Sequence, residues 1–315
     1  MHHSVHRAVH SEGDNCDVRV LVTGGAGFVG SHIVEALTAR GDEVIVLDDL
    51  STGDRANLDP ATRIVVADIS DREQVRDLLS GERLDAVVHA AAKTKVVESI
   101  QEPELYHRVI VNGTSNALDI AQGSGAVAFV NLSTGGALYG ETPACATEDT
   151  PVAAPSPYGR YKAEAERLVA TTPGLRTVTF RFANIYGPRQ RTDLEGGVIA
   201  IFAGCWQRGD PLTIFGDGTA ERDYLYVSDA VAAVLAGLDR GPTGSYNIGT
   251  GVATSVNQLV AAMTELLGPP SSVTRAAERP GEIQRSCVDS AKARREGLWR
   301  PAVPLVDGLR RTVAA

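Results

Sequence analysis

Tyr158 and Lys162 stand four residues apart in the run Ser156-Pro157-Tyr158-Gly159-Arg160-Tyr161-Lys162. Residues at i and i+4 share one face of a helix. A phenol ordinarily titrates near about 10, and an ammonium beside it stabilises the phenolate and draws that value toward neutral. Such a phenolate can take the proton of a hydroxyl group if something else accepts the hydride from the same carbon. A place for that acceptor lies far upstream, in the glycine-rich run Thr23-Gly24-Gly25-Ala26-Gly27-Phe28-Val29-Gly30. A Tyr–Lys pair alone reads more readily as a solvated helix face. With the glycine loop and the helix start at Pro155-Ser156-Pro157, oxidation of an alcohol is the better reading.

The elements that must position these residues follow from the pattern of apolar residues. Residues 18–22 are a short β-branched run leading straight into the glycine loop. Residues 31–40 then read as a helix that Gly41 stops. Further strands are expected at 43–47, 63–67, 86–89, 128–132 and 177–182, with a helix at 71–79. Near-continuous apolar strands alternating with helices imply an α/β fold, a doubly wound parallel sheet of the Rossmann type. Ser156 is placed to cap a helix whose first residue is Pro157. The expected organisation is a flexible tail at 1–17, a dinucleotide-binding domain at 18–183, and a smaller α/β substrate lobe at 184–315. Segments near 224–248 are expected to return to the main sheet.

A glycine motif by itself is weak evidence, but this one has a strand before it, a helix after it and an acid at the end of the next strand. The glycines allow a tight turn, and the helix N-terminus turns its amides toward a pyrophosphate. Asp48, at the end of the second strand, can accept hydrogen bonds from an adenosine ribose and would repel a 2′-phosphate, so NAD is favoured over NADP.

The 43% hydrophobic content is ample for a large core, and the net charge of −9 argues against nucleic acid or an anionic membrane as partner. Cys16, Cys145, Cys205 and Cys287 are far apart and lack CxxC spacing, so neither a disulfide framework nor a zinc site is expected, and a reducing, cytoplasmic setting fits. His2, His3, His6 and His10 read as part of a polar tail, not as a metal site. No apolar run is long enough to span a bilayer.

Gly24-x-x-Gly27-x-x-Gly30 together with Tyr158-x-x-x-Lys162 resembles the extended short-chain dehydrogenase/reductase family, in its NAD-dependent epimerase/dehydratase branch, nearest the UDP-glucose 4-epimerases. Further runs carry the same resemblance: Leu47-Asp48-Asp49-Leu50-Ser51-Thr52-Gly53, Ala67-Asp68-Ile69, His89-Ala90-Ala91-Ala92-Lys93, Arg181 to Gln190, Ile214 to Gly218 with Arg222-Asp223, and Arg279-Pro280-Gly281-Glu282. They span residues 18–313 in the order the family shows.

The resemblance implies a 4-epimerase of a UDP-sugar that oxidises C4 transiently and returns the hydride to the other face. Tyr158 would take the 4-hydroxyl proton, and Lys162 would hold the nicotinamide ribose and keep Tyr158 ionised. The cofactor would further contact Gly24, Gly27, Phe28, Val29, Gly30, Asp48 to Gly53, Asp68, Ile69, Ala90, Ala91, Ala92, Lys93 and Ala183. Thr94, Asn184 and Arg222, with Arg279, would meet sugar and diphosphate, Glu282 the nucleoside ribose, and Gly197, Val198, Thr213 and Phe215 the uracil. Ser286 falls where a small residue leaves room for an N-acetyl group.

Two departures stand out. Relatives often place a Ser or Thr at the position of Gly135, so Ser133, Thr134 or a water must bond the 4-oxygen here. Ile110 stands where relatives often carry Asn. Gly135, Gly136 and Ala137 also supply no acid, whereas loss of water across C5–C6 needs a placed acid and base. Dehydration is therefore disfavoured. Epimerisation of a UDP-uronic acid or a dTDP-sugar, and a silent NAD-binding module, are the remaining readings. Relatives are commonly homodimers, and the helical region 98–122 with the helix after Tyr158 could form that contact.

Overall fold

The computed structural model describes residues 18–192, 197–278 and 283–314. The strands are β1 (Arg19–Thr23), β2 (Glu43–Asp48), β3 (Arg63–Val66), β4 (Ala86–His89), β5 (Ala128–Thr134), β6 (Arg176–Phe182), β7 (Asn184–Tyr186), β8 (Leu212–Phe215), β9 (Glu221–Tyr226), β10 (Gly244–Ile248), β11 (Ala253–Ser255), β12 (Val273–Ala276) and β13 (Arg285–Ser286). The helices that matter for the site are α1 (Phe28–Arg40), α2 (Arg72–Leu78), α3 (Val96–Gln101), α4 (Pro103–His107), α5 (Gly113–Ser124), α6 (Gly135–Leu138), α7 (Pro157–Thr171), α8 (Val198–Arg208) and α9 (Val227–Arg240).

Seven strands form one sheet in the order β10-β6-β5-β4-β1-β2-β3, and every neighbouring pair is parallel. Successive strand residues point to opposite faces, so runs such as Val20-Leu21-Val22 feed two cores. Val20, Val22, Val46, Val88 and Val130 pack on the face with α1 and α9. Leu21, Ile45, Leu47, Val87 and Phe129 pack on the other, with residues of α2 and α5. Chain order reverses between β1 and β4, and the crevice beyond their carboxyl ends is where an open α/β sheet binds ligands.

Local sequence accounts for the element ends. Gly41 adopts φ 96°, and its N–H returns to the Leu37 and Thr38 carbonyls, which closes α1. Asp71 accepts from Gln74 N to start α2. Ser156 accepts from Gly159 N at 3.2 Å, with Pro157 as the first residue of α7. Strand β5 runs two residues beyond its expected end, so Ser133 and Thr134 belong to the sheet. Of the segment expected to return to the main sheet, only α9 and β10 do so. Strand β9 joins a four-stranded sheet with β7, β11 and β13.

The cysteine expectation is overturned. Cys145 and Cys287 are joined in a disulfide with their Cα atoms 4.5 Å apart. Their 142-residue separation hid this, because the contact comes from an isolated bridge between Ala146 and Val288 that no local spacing announces. Among the described residues no cluster of His, Cys, Asp or Glu could hold a metal, and no helix is long and apolar enough to cross a membrane.

Candidate active site

The cofactor side begins at the glycine loop. A side chain at Gly24, which has φ 68°, would stand 2.6 Å from Ala91 N, and one at Gly25 would meet Val46 at 2.8 Å. The loop therefore packs backbone to backbone against Ala90 and Ala91, bringing two of the expected contact segments together. Gly27 caps α1 with no side-chain hydrogen bond. The first amides of a thirteen-residue helix, at Phe28, Val29 and Gly30, are thus left to an anion. Asp48 is buried and accepts from Ala26 N and Leu50 N, both at 2.9 Å. Burial raises its pKa against these bonds. An ionised carboxylate has further lone pairs beyond these two, so Asp48 can brace the loop and still meet a ribose. Leu50, a non-glycine residue at φ 58°, carries backbone strain within this segment. Asp49 and Ser51 close a local turn on the exposed side, next to Thr52 and Gly53. Asp68 likewise turns its carboxylate to Ser70 N, beside buried Ile69. These residues fit a dinucleotide with its pyrophosphate at α1.

Tyr158 and Lys162 are both buried on α7, on the helix face turned to the sheet. The Lys162 ammonium donates to the Leu132 carbonyl on β5 at 2.8 Å. Burial lowers its pKa to about 8, offset in part by Glu166. The Tyr158 phenol is pushed up to about 12 by burial, with the Thr134 hydroxyl pulling the other way.

Beside the phenol, Thr134 caps α6 by accepting from Ala137 N at 3.2 Å. A Cβ at Gly136 would lie 3.4 Å from Asn184 Oδ1, 3.5 Å from Ser286 Oγ and 3.8 Å from Thr134 Oγ1. Three polar side chains from three separate strands thus converge on one glycine. Ser133 points to the opposite face of β5, and its buried hydroxyl has no hydrogen-bond partner among the described residues. Gly135 now has a physical account: a Cβ there would stand 2.5 Å from Val288 Cγ1. Val288, just beyond β13, takes up the space a Ser or Thr would need. Ile110 also has one. It is buried in the apolar cluster that contains Tyr106, Ala137 and Tyr158, inside a π-helical turn, Arg108–Asn112, a feature common at functional sites.

The remaining substrate-side residues are more scattered. Arg222 pairs in register with Ser286 across β9 and β13, and its guanidinium donates to the Glu221 carbonyl at 2.9 Å. Phe215 is 39% exposed and overhangs a cleft of about 670 Å³ walled by Glu221, Glu278 and Arg285. Thr213 lies on the same strand and bonds Thr274 at 3.1 Å, outside that cleft. Gly197 caps α8, and Val198 is its first residue. Thr94 is exposed, next to half-buried Ala92 and Lys93, and Ala183 is buried where its N–H meets Ile248 O. Arg279 and Glu282 lie outside the described residues.

Two buried networks escaped the sequence reading. Arg181 on β6 grips both Glu166 carboxylate oxygens, the shortest contact being 2.7 Å, and donates to the Tyr139 hydroxyl at 2.8 Å. This ties α7 to the sheet one turn beyond Lys162. His89 bridges Thr23 at 2.7 Å and Thr114 at 3.0 Å, and complete burial holds it neutral, at about 3. Thr23 Oγ1 in turn accepts from Ala91 N at 3.3 Å. Arg181 heads a run already singled out, so its inward charge was the available signal. Thr23 and His89 had none beyond ending two strands.

The family profile of the NAD dependent epimerase/dehydratase family matches residues 20–249. The UDP-glucose 4-epimerase of Mycolicibacterium smegmatis is 38% identical over 306 residues, covering 94% of this chain and 97% of its own. The crystal structure of the Thermotoga maritima UDP-glucose 4-epimerase with UDP-glucose superposes with a TM-score of 0.91 at 38% identity, over 94% of this chain and 98% of that one. The Thermus thermophilus UDP-glucose 4-epimerase in complex with NAD gives 0.89 at 40% identity, over 94% and 98%. The chain belongs to the NAD-dependent epimerase/dehydratase family.

Proposed function

We propose that this protein is an NAD-dependent 4-epimerase of a UDP-sugar. The observation that carries this reading is the convergence of Thr134, Asn184 and Ser286 on Gly136 beside buried Tyr158, with no acid at 135–137. Bound NAD would supply the reversible hydride chemistry at the sugar C4 and a positively charged ring. Such a ring, together with Lys162, would favour the phenolate of Tyr158. The α1 amides would hold its pyrophosphate, Asp48 its adenosine ribose and Lys162 its nicotinamide ribose. Tyr158 then takes the 4-hydroxyl proton and returns it after the sugar has turned. Of the open alternatives, Thr134 is the hydroxyl partner of the reaction, since Ser133 faces away.

On the nucleotide side Arg222 meets the diphosphate, together with Arg279. Phe215 covers the uracil, and Glu282 meets its ribose. Ser286 is small and already beside the sugar site, which favours acceptance of an N-acetylhexosamine. The chain is read as a cytoplasmic homodimer. Val96, Val97 and Ile100 of α3 are exposed beside α4 and α7, which supports a helical contact there.

The test is incubation of the NAD-loaded protein with UDP-glucose, UDP-N-acetylglucosamine, UDP-glucuronic acid and dTDP-glucose, followed by NMR of the products. A C4-inverted UDP-hexose with no net NADH is expected. A 4-keto-6-deoxy product would establish a dehydratase instead, and no turnover of any of the four would leave a binding module.

A further inference from the structure

Cys287 lies between two residues that shape the sugar side of the site. Ser286 Oγ approaches Gly136, and Val288 Cγ1 fills the space over Gly135. Its partner Cys145 sits on the strap 140–148, and this strap holds the 283–289 segment by several bonds. The Glu141 carboxylate accepts from Gln284 N at 2.7 Å and Arg285 N at 2.8 Å. Ala146 N donates to Cys287 O at 2.9 Å, and Asp289 N donates to Ala146 O at 2.8 Å. On its other side the strap reaches the catalytic helix. The Asn247 amide donates to Ala146 O at 2.8 Å, and Asn247 Oδ1 accepts from Tyr139. The Tyr139 hydroxyl accepts from Arg181, which grips Glu166 on α7. The disulfide therefore stands where the substrate-facing strand and the network behind Tyr158 meet.

The two sulfurs have unlike surroundings. Cys287 is buried, with Sγ 4.0 Å from the Asp223 carboxylate. Cys145 is half-buried, with Sγ 3.9 Å from the Arg285 guanidinium. After cleavage the carboxylate favours a neutral Cys287 thiol, and the guanidinium favours a Cys145 thiolate, the nucleophilic form that can re-form the bond.

We propose that Cys145–Cys287 is a reversible thiol–disulfide site that sets how firmly the sugar-facing strand is seated, with the oxidised form holding substrate tightly. Its effect on catalysis rests on the UDP-sugar reading above. A dithiol reductant supplies the reducing step. One of its thiolates attacks accessible Cys145 Sγ, the Sγ–Sγ bond breaks, and Cys287 leaves and takes a proton. The second reductant thiol then attacks the reductant's own sulfur in the mixed disulfide. Cys145 departs as a thiolate beside Arg285, the protein has gained two electrons, and the reductant has closed its own disulfide.

The experiment compares the NAD-loaded protein after oxidised glutathione with the same sample after dithiothreitol, with intact mass reporting the two added hydrogens. Reduction is expected to raise amide exchange in residues 135–148 and 283–290, leaving the β1–β4 region unchanged. It is also expected to raise KM for UDP-glucose several-fold at nearly constant kcat. Cys145→Ser should show the high KM without reductant and no response to it, whereas Cys205→Ser should respond as the parent does. Failure of the mass to report a disulfide after oxidised glutathione overturns the proposal, as does equal exchange in both forms or an equal KM. If neither form turns over a sugar nucleotide, the activity reading fails while amide exchange still decides the thiol site.

Discussion

At the residue scale, the decisive feature is the burial of Tyr158. Its phenol is pushed up to about 12 by burial. The difference in 295 nm absorbance between the parent and Tyr158→Phe should show phenolate only at strongly alkaline pH without cofactor, and the transition should move down by pH units when NAD is added. A second prediction concerns Gly135. Gly135→Ser places a side chain against Val288, so overpacking of about 1–3 kcal/mol is expected in urea unfolding, and Val288→Ala should relieve it. Thr134→Ala should lower kcat by about 100- to 1,000-fold, in keeping with loss of one charge-stabilising hydrogen bond, whereas Ser133→Ala should change it little. The Tyr–Lys pair and the glycine loop were legible in the sequence because each is local. The placement of Ser133 and Thr134 on opposite faces of the sheet was not, because it depends on β5 continuing two residues further than its apolar run.

At the element scale, α7 carries the Tyr158–Lys162 pair and also braces the sheet. Its start was readable from Ser156 and Pro157, where cap and ring chemistry act within one turn. Its attachment through Glu166 and Arg181 was not, since that contact bridges two elements. Both side chains are largely buried, and removing one partner leaves the other charge unpaired. Glu166→Ala is expected to destabilise by about 3–5 kcal/mol in urea unfolding. Lys162 adds a pH signature. Burial lowers its pKa from 10.5 to about 8, so between those values the unfolded chain holds the extra proton and stability rises with pH. Tyr158 acts oppositely above 10.0, where the unfolded phenol ionises first and stability falls. Unfolding free energies at pH 8 and pH 10 should differ less in Lys162→Met than in the parent.

At the scale of the whole molecule, alternating strands and helices made the seven-stranded parallel sheet readable in advance. A smaller lobe was expected at 184–315, but its strand pairing was not readable, because β7, β9, β11 and β13 come from distant segments and pair by tertiary contact. The disulfide joins the same distant parts and escaped for the same reason. The absence of an acid at 135–137 carries the central claim that the hydride goes back to the carbon it left. UDP-glucose bearing deuterium at C4 tests this directly. The account predicts C4-inverted product with the deuterium still on C4, none of it lost to water. Deuterium found at C6 of a 4-keto-6-deoxy sugar, or on accumulated NADH, would contradict it.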